Sequence, residues 1–235
     1  MNSPTPLVIA IDGPSGVGKS SVSRAVAQDL GLAYLDTGAM FRALTWWCIQ
    51  QGVDLDDRPA VTRAARSLAL VIGTDPSRPS VQVGGVPIDE AIRETVISEL
   101  VSKVAINLGV RDELCKRQRV LIAESVQRAG GVVVEGRDIT TVVAPDADVR
   151  ILLSASQAAR LTRRATELHG EAGEASVTAT RDQIVRRDMD DSTVSEFMHP
   201  APGVTLVDTS DLGFLQTVET VLDVVRTSRN EARPN

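Results

Sequence analysis

The alternation of apolar runs with polar, glycine-bearing breaks divides the chain into strands and helices. Leu7-Val8-Ile9-Ala10-Ile11 is continuously apolar and rich in β-branched residues, and it ends at Asp12. Such a run predicts a strand buried on both faces of a parallel sheet. After a glycine-rich break, Val22, Ala25, Val26 and Leu30 recur at helical spacing from Lys19 onward, with Gly31 as the stop. Ala33-Tyr34-Leu35 reads as a second strand, and Thr37 as the cap of a helix carrying Phe41, Leu44 and Cys48 and closing near Gly52. Leu68 to Gly73 and Val81 to Val83 are short strand patterns, and Gly84-Gly85 before Val86-Pro87-Ile88 signals a hairpin. Helical patterns then cover Ile92 to Leu108 and Val110 to Ala129, the second closing on Gly130-Gly131. Val132 to Glu135, Val149 to Leu153 and Val204 to Asp208 are three further strands, followed by a closing helix.

Five apolar strands alternating with helices predict an α/β fold, a doubly wound five-stranded parallel sheet with helices on both faces. The strands between 68 and 88 predict a small antiparallel β insert. His169-Gly170-Glu171-Ala172-Gly173-Glu174, flanked by arginine-rich helical patterns, predicts a helical lid closing over a phosphoryl donor. All 235 residues are expected to form one domain, with the insert at about 62–110 and the lid at about 160–196.

Composition narrows the chemistry. A net charge of −6 argues against a nucleic-acid partner, which calls for excess Lys and Arg to displace counterions from phosphates. Cys48 and Cys115 have no metal-binding spacing and read as reduced thiols. His169 and His199 lack paired spacing and are expected on the surface, whereas Trp46-Trp47 is expected to pack in the core. Met1 to Pro6 has no basic n-region, and the apolar run after it is too short to span a bilayer. The expected location is therefore the cytoplasm, without a membrane partner, and the absence of a coiled-coil seam favours a monomer.

Gly13-Pro14-Ser15-Gly16-Val17-Gly18-Lys19-Ser20, followed by Ser21, matches G-x-x-x-x-G-K-S between a buried strand and an amphipathic helix. The glycines let backbone N–H groups turn inward on phosphate oxygens at a helix N-terminus. Lys19 supplies a positive charge for the β- and γ-phosphates, and Ser20 a hydroxyl for Mg²⁺ accompanying ATP. No Asn-Lys-x-Asp guanine box follows a later strand, which favours a small kinase over a GTPase. Arg42 falls on the second turn of the helix beginning at Thr37. Val134-Glu135-Gly136-Arg137-Asp138 leaves a neighbouring strand at the same carboxyl edge, where ligands bind in open α/β sheets. Glu135 then stands in for a Walker B acid, orienting Mg²⁺ through water.

Asp12-Gly13-Pro14-Ser15-Gly16, Leu35-Asp36-Thr37-Gly38-Ala39, Glu135-Gly136-Arg137-Asp138 with Thr141-Val142-Val143, and Arg187-Asp188 with Asp191-Ser192 together resemble the bacterial cytidylate kinase family. The likeness runs from about Leu7 to Ser210. It implies reversible transfer of the ATP γ-phosphoryl group to CMP or dCMP, with Mg²⁺, in pyrimidine nucleotide metabolism. It also implies that Arg42 and Arg137 hold the acceptor phosphate and that Ser102, Arg111 and Asp138 approach the cytosine. Thr37 is placed in the substrate site, Asp191 at the sugar and Arg187 as a lid arginine, so Lys19, Arg42, Arg137 and Arg187 carry the catalytic charge. Two departures stand out. Val194 occupies a position where the family pattern has a further arginine, which leaves Arg181 or Arg186 as possible substitutes, and Phe41 stands where relatives often have Tyr. A kinase of another small acceptor and a non-catalytic nucleotide-dependent regulator are the alternatives.

Overall fold

A computed structural model describes residues 6–169, 189, 192–195 and 197–231. The element order begins with β1 (Leu7–Asp12), α1 (Lys19–Leu30), β2 (Ala33–Asp36), α2 (Thr37–Gln50) and α3 (Arg58–Ser67). Next come β3 (Leu70–Gly73), β4 (Ser80–Val83), β5 (Val86–Pro87), a 3₁₀ turn at Ala91–Arg93, α4 (Thr95–Ala105) and α5 (Leu108–Ala129). The chain continues through β6 (Gly131–Gly136), a π-helical turn at Ile139–Val143, β7 (Val149–Ser154), α6 (Gln157–His169), β8 (Thr205–Asp208) and α7 (Phe214–Glu231).

The main sheet has the order β2-β6-β1-β7-β8, with every pair parallel. This is the doubly wound five-stranded arrangement expected from the apolar runs. Alternation along β1 sends Ile9 and Ile11 into one apolar cluster with Val22, Val26, Val221 and Val225, while Ala10 faces another with Leu35, Val132, Val134 and Ile139. Every residue of β6 is buried, as a strand between two others in a covered sheet should be.

The insert has its own apolar cluster, in which Leu44 and Cys48 of α2 meet Val61 of α3, Val83 of β4, Val104 of α4 and Leu114 of α5. Its small sheet is antiparallel in the order β3-β4-β5. Gly84 and Gly85 both have positive φ, 57° and 81°, which a two-residue hairpin turn of this hand requires. The β3–β4 loop docks on the edge of the main sheet: the Tyr34 amide donates to Thr74 O at 2.8 Å, and Arg24 and Gln28 of α1 both donate to Pro76 O.

Three local expectations are corrected. The residue capping α2 is Asp36, whose Oδ1 accepts from the Ala39 amide at 2.8 Å; Thr37 is the first helical residue, and its hydroxyl donates to Glu135 O at 2.7 Å. Helix α3, absent from the periodicity reading, starts after the Asp57 cap and has Pro59 in its first turn. The helix expected from Ile92 to Leu108 starts instead at Thr95 and ends at Ala105, because Asn107 caps α5 through the Gly109 amide. Within the expected lid, most residues lie outside the described ones.

Candidate active site

The loop joining β1 to α1 is held by close backbone approach. A Cβ on Gly13 would lie 2.4 Å from Leu153 O, and one on Gly16 would lie 2.7 Å from Arg160 O. Gly18, left-handed at φ 92°, caps α1 without a side-chain hydrogen bond, so the first amides of that helix face the cavity as donors. Lys19 Nζ donates to Pro14 O at 2.8 Å, which folds the ammonium over the loop. Two arginines of α6 brace the same loop: Arg160 donates to Ser15 O at 3.2 Å, and Arg163 to Val17 O and Thr209 Oγ1. The arginine-rich pattern around 160 was legible in the sequence, but its bracing of the loop was not.

A cavity of about 460 Å³ extends from Gly16, Lys19 and Ser20 at the loop to Arg42, Arg93 and Arg137 at its far end. Thr37, Phe41, Arg111, Arg137, Asp138 and Ser195 line a smaller cavity of about 60 Å³ beside it. The loop, Arg42 and Arg137 therefore share one crevice at the carboxyl edge of the sheet. Ser102 is buried in α4 and is not among the residues lining either cavity; its neighbours Val101 and Ala105 are. Arg187 and Asp191, with Arg181 and Arg186, lie outside the described residues. Val194 is half-buried, one residue before Ser195.

Several of the charged groups have an orienting partner. Arg42 Nη2 lies 2.8 Å from Asp36 Oδ2. Burial pushes the Asp36 carboxyl up, but the Arg42 charge and the Ala39 amide outweigh it and hold the group below the usual carboxylate range. Arg111 Nη2 pairs with Asp138 Oδ2 and its Nη1 donates to Ala105 O, so the two cytosine candidates form one ion pair. Glu135, 3% exposed, accepts from the Tyr34 hydroxyl at 2.9 Å. Burial raises its carboxyl above the ordinary value and the Asp36 charge adds to that; Lys19 and hydroxyl donors on Ser20 and Tyr34 oppose it.

Asp12, legible in the sequence as the end of β1 and the first residue of a family-like motif but not as an anchor, holds the turn that follows Arg137 and Asp138. Its Oδ1 accepts from the Ile139 amide at 3.0 Å, and its Oδ2 from the Thr140 amide and hydroxyl, both at 2.7 Å. Asp12 thereby ties the strand that launches the phosphate loop to the π-helical turn directly after Arg137 and Asp138. Burial raises its carboxyl, against these hydrogen bonds.

A parallel sheet with a phosphate loop at the end of its central strand, opposed by arginines that follow the two strands on one side, defines a P-loop phosphotransferase. The family model for cytidylate kinase matches residues 9–227. The chain belongs to the cytidylate kinase family. It is 48% identical to a cytidylate kinase of Cutibacterium acnes over 95% of this chain and 97% of that protein. It is 43% identical to the cytidylate kinase of Streptomyces avermitilis, covering 95% and 94%. With a Synechococcus bifunctional pantoate ligase/cytidylate kinase it shares 41% identity over 93% of this chain and 40% of that longer protein.

Proposed function

We propose that the chain transfers the γ-phosphoryl group of ATP to the phosphate of CMP or dCMP, giving ADP and CDP or dCDP. The observation that carries the reading is the Arg111–Asp138 pair lining a small cavity beside Arg42 and Arg137, in the crevice that also holds the phosphate loop. Cytosine offers acceptors at O2 and N3 and a donor amine at N4, which an arginine and an aspartate can meet together. Uracil presents a protonated N3 and a second carbonyl, leaving Arg111 and Asp138 facing like groups, and such buried mismatches cost roughly 1–3 kcal/mol each. Thr37 and Phe41 line the smaller cavity, and Asp191 and Arg187 are assigned to the sugar and the transferring phosphate by family pattern alone.

The acceptor oxygen is already ionised near neutral pH, so no side chain has to remove a proton. Rate comes from aligning two anions and offsetting their repulsion. Loop amides and Lys19 take the donor phosphates, while Arg42 and Arg137 take the acceptor phosphate. The donor set suits Mg²⁺: a hydroxyl on Ser20 lies beside the buried Glu135 carboxylate, and among the described residues no cluster of three His, Cys, Asp or Glu side chains could hold a metal by itself. This matches an ion held largely by nucleotide phosphates and water, with Glu135 orienting that water. When bound, Mg²⁺ neutralises charge on the β- and γ-oxygens. We further assign the enzyme to the cytoplasm as a monomer; among the described residues no helix is long and apolar enough to cross a membrane.

An assay of ADP release with CMP, dCMP, UMP, AMP, GMP and shikimate tests this. Expected is a kcat/KM for CMP and dCMP exceeding that for UMP by about a hundredfold or more. Equal rates with all acceptors, or turnover of none, refute the reading. Asp138→Ala is expected to lower kcat/KM for CMP by about a hundredfold and for UMP by less than tenfold, collapsing the preference. A uniform loss on both substrates removes Asp138 from base recognition.

A further inference from the structure

Arg42 and Arg137, the two arginines assigned to the acceptor phosphate, each have a side chain set against the guanidinium. Arg42 spends Nη2 on Asp36, whose negative charge offsets part of its own. Arg137 has its guanidinium carbon 4.7 Å from the centre of the Phe197 ring. Phe197 is 1% exposed, yet it belongs to none of the three apolar clusters that build the core. Ser195, two residues before it, lines the smaller cavity with Arg137 and Asp138. The segment after Val194 therefore brings two side chains to the acceptor site, and its buried aromatic ring is placed against a cation.

The geometry points to Phe197 as a positioning residue that sets the plane of Arg137 for the acceptor phosphate. A guanidinium meets an aromatic ring with its face and a phosphate with its edge. The ring can therefore hold the face of Arg137 without itself consuming the N–H groups that a phosphate takes in pairs. Phe197 touches no substrate in this assignment. It acts through Arg137 and joins the chain leaving the lid region to the acceptor site.

The inference rests on the reading of Arg137 as an acceptor-phosphate ligand, and the experiment separates the two. Steady-state kinetics of the full chain are measured for wild type, Phe197→Leu, Phe197→Tyr, Arg137→Lys and the Phe197→Leu/Arg137→Lys double variant, with KM for CMP and for ATP read separately. Phe197→Leu, which keeps apolar bulk but loses the ring face, is expected to raise KM for CMP about five- to tenfold with KM for ATP within twofold. Phe197→Tyr restores CMP binding to within twofold of wild type. In the Arg137→Lys background, Phe197→Leu adds less than twofold, because an ammonium has no plane to orient. If Arg137→Lys raises KM for CMP but Phe197→Leu leaves it unchanged, or raises both KM values together, or acts equally in the lysine background, Phe197 is only filling space and the inference is overturned. If Arg137→Lys itself leaves KM for CMP unchanged, the assignment of Arg137 falls, and the inference with it.

Discussion

Replacing Lys19 by methionine lowers kcat by about a thousandfold while ATP affinity changes by less than about tenfold. Methionine keeps the unbranched apolar stem and removes only the charge. In the structure the ammonium rests on Pro14 O at 2.8 Å, a neutral backbone acceptor on the loop itself. It can leave that acceptor for a phosphoryl oxygen at small cost, since one hydrogen bond replaces another and the new one is charge-assisted. Ground-state binding is shared with the loop amides, so losing the lysine shows mainly where negative charge develops during transfer. Single-turnover rates and equilibrium ATP titration of the variant separate the two contributions. A kcat within tenfold of wild type would remove Lys19 from the transfer step.

The second large effect lies away from both substrates. Asp12→Ala leaves the Ile139 amide and the Thr140 amide and hydroxyl buried with no acceptor in place of the carboxylate. Stranding these donors costs about 3–5 kcal/mol, of which part is recovered because a buried carboxylate no longer has to be desolvated. A net loss near 3 kcal/mol lowers Tm by roughly 10 °C in a domain of this size. KM for CMP should rise by more than KM for ATP, because the freed turn follows directly on Arg137 and Asp138. Calorimetry with substrate kinetics checks both parts. An unchanged Tm would mean that the three bonds to Asp12 do not anchor the turn.

The two results bear on how the site can be read from residue order. The phosphate loop was legible because its chemistry is local: eight consecutive residues and the strand and helix beside them carry the pattern. Arg42, Arg111, Arg137 and Asp138 could be named from a family likeness, and the structure brings all four to adjoining cavities. Asp12 could not be identified as the anchor, because its partners lie 127 and 128 residues away and meet it only once β6 has paired with β1. The same limit explains the cap of α2. Asp36 and Thr37 are both good capping residues, and the contact from the Thr37 hydroxyl to Glu135 O decides between them. Helix α3 had its signals, the Asp57 cap and Val61, Ala64 and Ala65 on one face, but they sit among Arg58, Arg63 and Arg66 and form too narrow an apolar stripe to stand out. The Phe197 ring gave no sign in a segment without periodicity.

The position of β1 at the centre of the sheet also bears on how the molecule is made. Its partners begin at Leu7↔Gly131 and Ile9↔Val149, so β1 gains a neighbour in the main sheet only after the whole insert has been made. Non-local parallel pairing of this kind is slow, since the closure entropy of a long loop is spent before any contact compensates it. The apolar run Leu7 to Ile11 therefore stays without a sheet partner until those later residues are available. When β6 arrives, it brings the Asp12 anchor, Glu135 and Arg137 together in one event. The phosphate loop still waits for Arg160 and Arg163 of α6 to brace it, so a chain that has β1 but lacks β6 has neither site complete.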